Sequence, residues 1–455
     1  MHEERIETIH LEEISQETLY VLYIMDSSQR VSNNHALIHA LELANKLNKK
    51  LIVAHFFNPL KTNALIDRFY IDGLKDVSEK LSELEIKFIV SDSKFGTFTE
   101  TTLSRTEAVV LDRAYLKEDL ERRKRFIKNW KRTLYVVETS LVVPPEEVSR
   151  KREYAARTIR PKIMKKYKEF LTLLKMKKIK ETSINANVST NFNLNVSGDK
   201  ILRDIGYSNK ELNKKSELVG GYSEASKKVS HFIRYSLDSY DDERQDVLSE
   251  NGQSFLSPYL RFGHISPTEI ILKVEKARGA NHKGRKAFVE EILVRRELAF
   301  NFVINESSYD DFNCLPNWCQ KTLAMHDEDN RDPKYSKNDF DLANTDDDLW
   351  NYCMNKMKLT GYLHNALRMY WGKKILEWGS SSSYSYNILI ELNNKYFIDG
   401  RDPNSYTNAL WCFGLHDRAW GERKIYGKVR SHSKDSAMRK VRGSDGLNKL
   451  QEKLK

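Results

Sequence analysis

The chain has 455 residues, is 40% hydrophobic, and carries a formal net charge of +11 with a pI near 9.1. That length allows two or three domains of roughly 150 residues each, and the charge favours a polyanionic partner because Lys and Arg that neutralise phosphates release condensed counterions, with solubilising surface lysine as the plain alternative. Cys314, Cys319, Cys353 and Cys412 lack paired CxxC spacing, the acidic residues 1–15 lack the apolar core of a signal peptide, and no apolar run is long enough for a bilayer; a disulfide scaffold, a metal site, secretion and membrane insertion are therefore excluded, and a soluble intracellular protein is expected.

Residues 18–25, 50–57, 86–91, 108–112 and 133–138 are β-branched or apolar runs that read as buried strands. Between them, 34–46, 67–84 and 116–130 carry apolar residues at helical spacing. This alternation over 16–165 predicts a Rossmann-like α/β domain with a parallel sheet. The turn after its first strand, Asp26-Ser27-Ser28-Gln29-Arg30, has no GxGxxG, so no dinucleotide site is expected there. A basic helix is expected over 161–180. The Asn-, Ser- and Thr-rich stretch 183–200 has no periodicity and falls within an interdomain linker, 166–219. From 220 to 455 the pattern is helical, with long stretches at 287–303 and 361–378, which predicts a second, all-helical domain.

Within that second region, Ser254-Phe255-Leu256-Ser257-Pro258-Tyr259-Leu260 offers hydroxyls and amides at a helix start, suited either to a pyrophosphate or to an ordinary cap. Helical spacing puts Glu290, Val294 and Glu297 near one face and Glu291 and Arg295 on another. A salt-bridged helix surface explains most of these charges. Glu291 stands among apolar Phe288, Ile292 and Leu298, so partial burial is expected, and a buried carboxyl can hold or donate a proton. Trp371 and Trp378 share one helical face, about 10 Å apart along the axis, and Trp350 precedes them; a core stripe and an electron path are both open. Arg368 and Asp399 are a candidate ion pair. The segments 418–430 and 434–442 are basic; the second reads either as a DNA contact or as a solvated tail.

Taken together, the segments 153–163, 254–266, 288–301, 361–378, 399–404 and 411–423, in this order, closely resemble the class II cyclobutane pyrimidine dimer photolyases. The resemblance runs from about residue 20 to residue 430. It implies an N-terminal α/β domain followed by a helical domain that binds FAD noncovalently, in its reduced form during repair, and it implies light-driven splitting of pyrimidine dimers in UV-damaged DNA by a monomer. It further implies that Ser254, Leu256, Ser257 and Leu260 surround the flavin phosphates, with Tyr240 and Asn365 as additional contacts, and that Arg368 and Asp399 flank the isoalloxazine. Asn393 matches the asparagine that faces flavin N5 and favours the reduced cofactor. Glu291, Met369, Trp411 and Trp420 match the dimer pocket, with Glu291 hydrogen-bonded to the reduced dimer, and Trp371, Trp350 and Trp378 match the electron chain.

Two stretches depart from the family pattern. Arg261-Phe262-Gly263-His264 stands where the family usually has His-Phe-Gly-Gln, which bears on phosphate or flavin-edge contacts. Residues 24–30 differ around the antenna, so a deazaflavin-type second chromophore is left open. Two rival readings share these residues: a cryptochrome-like blue-light receptor, and a DNA-binding protein that has lost its flavin.

Overall fold

The computed structural model describes residues 2–92, 100–188, 192–213, 216–277 and 281–454. Residues 189–191 and 214–215 of the expected linker lie outside them. Strands β1 (Ile6–His10), β2 (Tyr20–Ile24), β3 (Lys50–Phe57), β4 (Lys87–Asp92), β5 (Thr106–Asp112) and β6 (Thr133–Val137) form one sheet in the order β1-β6-β5-β2-β3-β4. All neighbours pair in parallel except β1, which runs antiparallel to β6. The parallel strands are apolar on both faces because both faces are covered. Val21, Tyr23 and Met25 meet Leu37, Leu41 and Val77 on one side, and Leu22 and Ile24 meet Phe126 and Trp130 on the other. The parallel sheet is as expected, and strand β1, which the sequence did not announce, adds one antiparallel edge to it. It is an edge strand with exposed Glu7 and Thr8, so it carries no apolar signature.

The turn after β2 shows why no phosphate loop is needed there. The backbone amides of Asp26, Ser27 and Ser28 converge on Asp112 Oδ2 at 2.9, 2.9 and 3.0 Å. A carboxylate from β5 thus fills the amide nest that a dinucleotide phosphate occupies in a Rossmann site. Because β2 lies between β3 and β5, the strand order reverses at this point.

The basic helix is shorter than its lysine content suggests. It spans Ala156–Phe170, burying Ala156, Ile159, Ile163, Tyr167 and Phe170; beyond Phe170 the chain leaves helical geometry, and Met176 and Ile179 pack on the sheet core instead. Tertiary packing overrides propensity here. The expected linker also contains two short helices, Gly198–Asp204 and Asn209–Leu212, whose Ile201, Leu202 and Leu212 are buried. One continuous core joins Phe57 and Phe69 of the α/β part to Ile163, Tyr259, Phe262 and Leu293. After Gly221 the described chain is helical apart from one isolated bridge, Arg423 with Gly427. No helix of the described residues is long and apolar enough to cross a membrane.

His264 fastens this junction. It is fully buried, its Nδ1 accepts from the Gly221 amide at 3.0 Å, and its ring stacks on Phe69 at 5.1 Å. Gly73 makes room for it, since a Cβ there would stand 2.1 Å from the imidazole. Burial, with Arg261 and Arg30 nearby, lowers the His264 pKa to about 3. The unfolded histidine titrates near 6.5, so below that pH the unfolded state takes up a proton that the folded state refuses. Stability should therefore fall as pH drops from about 6.5 towards 3. Melting temperature measured from pH 7.5 to 5 should decline, and His264→Gln should flatten the decline; an unchanged pH dependence in that variant refutes the assignment.

Candidate functional site

The helical part encloses a cavity of about 520 Å³, within the range of small-molecule and cofactor pockets. Thirteen of the residues singled out above line it: Tyr240, Ser254, Leu256, Ser257, Leu260, Glu291, Asn365, Arg368, Met369, Trp371, Asn393, Asp399 and Trp411. They come from helix Tyr240–Glu243, from helix Ser257–Arg261 and the loop before it, from the segment Glu290–Arg295, from helices Asn365–Trp378, Ser382–Tyr396 and Pro403–Trp411, and from the turn at Asp399.

Arg368 and Asp399 form a two-pronged pair across this cavity, Nη1 to Oδ1 and Nη2 to Oδ2, each 3.0 Å. The guanidinium also donates through Nε to the Leu363 carbonyl at 3.1 Å and lies 3.9 Å from the Phe397 ring centroid. Such a fork holds a plane rigidly, as a point charge cannot. The Nδ2 of Asn393 donates to Asn394 Oδ1 at 3.1 Å, a bond that orients its side-chain amide.

The expected helix over 287–303 is interrupted. Helix His282–Val289 passes into a π-helical turn, Glu290–Arg295, and resumes as Arg296–Asn305. Such turns re-aim side chains, commonly at functional sites. The change of pitch overturns the expected faces. Glu290 pairs with Arg160 at 2.7 Å and with Arg295 at 3.3 Å, five residues on, whereas Glu297 is buried and accepts from the Val142 and Val143 amides. Burial pushes the Glu297 acid up to about 8. Glu291 is left on the cavity wall, with a side chain 43% exposed and Arg244 Nη1 3.0 Å from its carboxylate. Arg244 was not foreseen; it lies 47 residues away in the chain, and no local pattern announces the contact.

Trp371 lines the cavity, and Trp350 and Trp378 lie behind it. Trp350 Nε1 donates to the Trp371 carbonyl at 3.0 Å, and the Trp350 and Trp378 rings are 6.1 Å apart at 67°. All three residues are at most 6% exposed and belong to one hydrophobic core. The indole Nε1 of Trp371 is buried without a protein partner.

Trp420 is not brought to this cavity. It is 37% exposed on a surface loop, between the guanidinium groups of Arg418 at 4.7 Å and Arg430 at 4.9 Å. Nor does His264 reach the cavity. Arg261 does: its Nε donates to the Gly400 carbonyl at 3.0 Å, and it lines both this cavity and a second one of about 300 Å³. The second cavity is bounded by Asp26 and Ser27 after β2, Asn58 after β3 and Arg113 after β5. It is thus the crevice at the carboxyl ends of the strands where the order reverses, the usual ligand position in an open α/β sheet. Its Asp26 is held by Arg122 and Arg123.

The DNA photolyase family model matches residues 21–181. The chain is 37% identical over 456 residues to a deoxyribodipyrimidine photo-lyase of Methanothermobacter thermautotrophicus, covering 99% of this chain and 98% of that protein. It is 33% identical to the enzyme of the same name from Arabidopsis thaliana, covering 90% of this chain and 84% of that one. Among solved structures, a class III photolyase from Agrobacterium tumefaciens has a TM-score of 0.70 at 16% identity, covering 96% of this chain and 92% of that one. A Synechocystis cryptochrome has a TM-score of 0.71 at 14% identity, covering 97% and 90%. At these identities the structures speak to the fold alone.

Proposed function

The chain belongs to the DNA photolyase family, and on that premise we propose that it is a deoxyribodipyrimidine photo-lyase that splits cyclobutane pyrimidine dimers in UV-damaged DNA in the light. The observation that carries the reading is that the Arg368–Asp399 fork, the Glu291, Met369 and Trp411 wall, and the first ring of the tryptophan path share one cavity. Its residues fit FAD: the hydroxyl-bearing Ser254 and Ser257 in the wall and a fixed cationic plane at Arg368. The bound cofactor supplies, on absorbing light, the electron that opens the dimer, and receives it back afterwards.

The protein's part is position and electrostatics. Arg368 and Asp399 hold the flavin plane, Asn393 presents its amide to the ring, and Trp411 and Met369 form the apolar wall for a flipped-out dimer. A damaged step already stacks poorly, which reduces an extrusion cost of roughly a few kcal/mol and favours the lesion over intact bases. Glu291 accepts a hydrogen bond from an N–H of the dimer and holds it in place, and Arg244 beside the carboxylate offsets the negative charge as it develops. The crevice at the sheet's switch point is the site for a second, light-harvesting chromophore, with a deazaflavin as the candidate.

Light-dependent reversal of a defined thymine dimer in a duplex, with a dark control, tests this reading. A light-receptor role predicts no reversal in either condition, and a flavin-less DNA-binding protein predicts no yellow colour after purification. Glu291→Ala should lower repair by roughly tenfold to a hundredfold with flavin reduced beforehand, the worth of a hydrogen bond to a charged group. Equal repair in the variant and the parent rejects the role given to the carboxyl.

A further inference from the structure

A side cavity of about 270 Å³ adjoins the main one and shares Gln245, Asn365, Met369 and Trp411 with its wall. Its remaining walls include Lys373, Arg430, His432 and Lys440, and no carboxylate lines it. Three separate elements deliver these cations. Lys373 lies on helix Asn365–Trp378, Arg430 follows the basic surface loop, and Lys440 ends helix Lys434–Lys440. Helix Lys434–Lys440 is not a solvated tail. Ala437 and Val441 are fully buried in the helical core, and the Lys440 carbonyl accepts from the Val247 amide at 3.0 Å.

Each cation is held by neutral groups. The Lys373 ammonium, on a residue 2% exposed, donates to the Cys412 carbonyl and lies 5.4 Å from the Trp411 ring centroid. Lys440 Nζ donates to Gln245 Oε1 at 3.0 Å, and Arg430 lies against Trp420. Burial and the neighbouring Arg430 lower both lysines, Lys373 to about 8. Burial keeps His432 neutral, at about 4, with Lys440, Arg430 and Lys373 all acting on it in the same sense. Lys373 is buried, Lys440 half-buried and Arg430 exposed, and with no carboxylate in the cavity wall these like charges disfavour one another, so that an anion among them lowers the cost.

We propose that this side cavity seats a backbone phosphate of the damaged strand next to the dimer, fixing the register of the strand as the lesion enters the main cavity. The inference rests on the repair reading: Trp411 and Met369, against which the dimer would lie, also line the side cavity, so the cations stand within one linkage of the lesion on that reading. Phosphate contacts of this kind position a strand without reading its sequence. The flavin's own phosphates are the other source of this chemistry, but the loop matched to them, around Ser254 and Ser257, lines the main cavity and not this one.

The test is a cycle between protein and DNA. Duplexes carrying one thymine dimer are made with natural phosphates, or with one methylphosphonate at the intradimer, 5′ or 3′ linkage. Binding to the parent protein and to Lys440→Gln, Arg430→Gln and Lys373→Met is measured against salt, with flavin content of each preparation recorded. Lys440→Gln and Arg430→Gln alter partly exposed side chains, so the test survives if Lys373→Met fails to fold. Each variant should lose affinity by roughly tenfold, the worth of a charge-assisted contact, and its salt slope should fall by about 1. One methylphosphonate should reproduce that loss in the parent and add little in the variants. Additive losses at all three linkages, or loss of flavin in Lys440→Gln, overturn the phosphate site and leave the repair reading standing. A parent protein that binds damaged and undamaged duplexes equally overturns both.

Discussion

Trp371→Phe is expected to abolish, or nearly abolish, light-driven reduction of the oxidised flavin while repair by protein reduced beforehand survives. Of Trp371, Trp350 and Trp378 only Trp371 lines the cavity; Trp350 is bonded to its carbonyl and packs against Trp378, the order that the proposed electron path would follow. Phenylalanine keeps most of the ring's volume but is far harder to oxidise, so conduction stops while packing is largely kept. The exchange also strands no protein acceptor, because the Trp371 indole N–H has none. Trp350→Phe should slow reduction as well, although it additionally removes the 3.0 Å bond to the Trp371 carbonyl. Time-resolved bleaching of the flavin band under blue light, compared with single-turnover repair by chemically reduced protein, separates the two functions. Equal bleaching rates in the parent and Trp371→Phe reject the path.

The parallel strands were legible because burial on both faces writes an apolar run, as in Leu51 to Ala54 and again at Phe56 and Phe57. β1 was not, because an edge strand with solvent on its outer side needs no such run. Most of the cavity wall was legible through motif resemblance, since the residues that line it stand in short ordered segments of the chain. What escaped the sequence depends on long-range geometry. The π turn at Glu290–Arg295 is set by how two helical segments must each pack, and it changes which charges share a face. The partners of Glu291 and Asp112 are 47 and about 85 residues away, so no periodicity encodes them. Trp420, which the resemblance matches to the dimer pocket, stands instead on a surface loop outside the cavity wall, beside two arginines, because its placement depends on the course of that loop.

Arg368→Ala should lower both flavin occupancy and stability, and the two losses can be separated. Asp399 is 10% exposed at its side chain and receives both prongs of the guanidinium. Removing one partner of an enclosed pair costs roughly 3–5 kcal/mol, mostly from the stranded charge. The 22% exposure of the Arg368 side chain lets water reach the remaining carboxylate, which puts this case towards the lower end or below it. Arg368→Lys keeps a charge but not the two parallel bonds or the flat contact with Phe397, so it should recover stability better than flavin binding. Arg368→Ala combined with Asp399→Asn removes the stranded charge altogether. That double variant should melt closer to the parent than Arg368→Ala does, yet remain poor in flavin, because the plane that orients the cofactor is gone. Flavin absorbance per polypeptide and thermal unfolding of the three variants decide the matter: full occupancy with unchanged melting in Arg368→Ala would remove Arg368 from the flavin site.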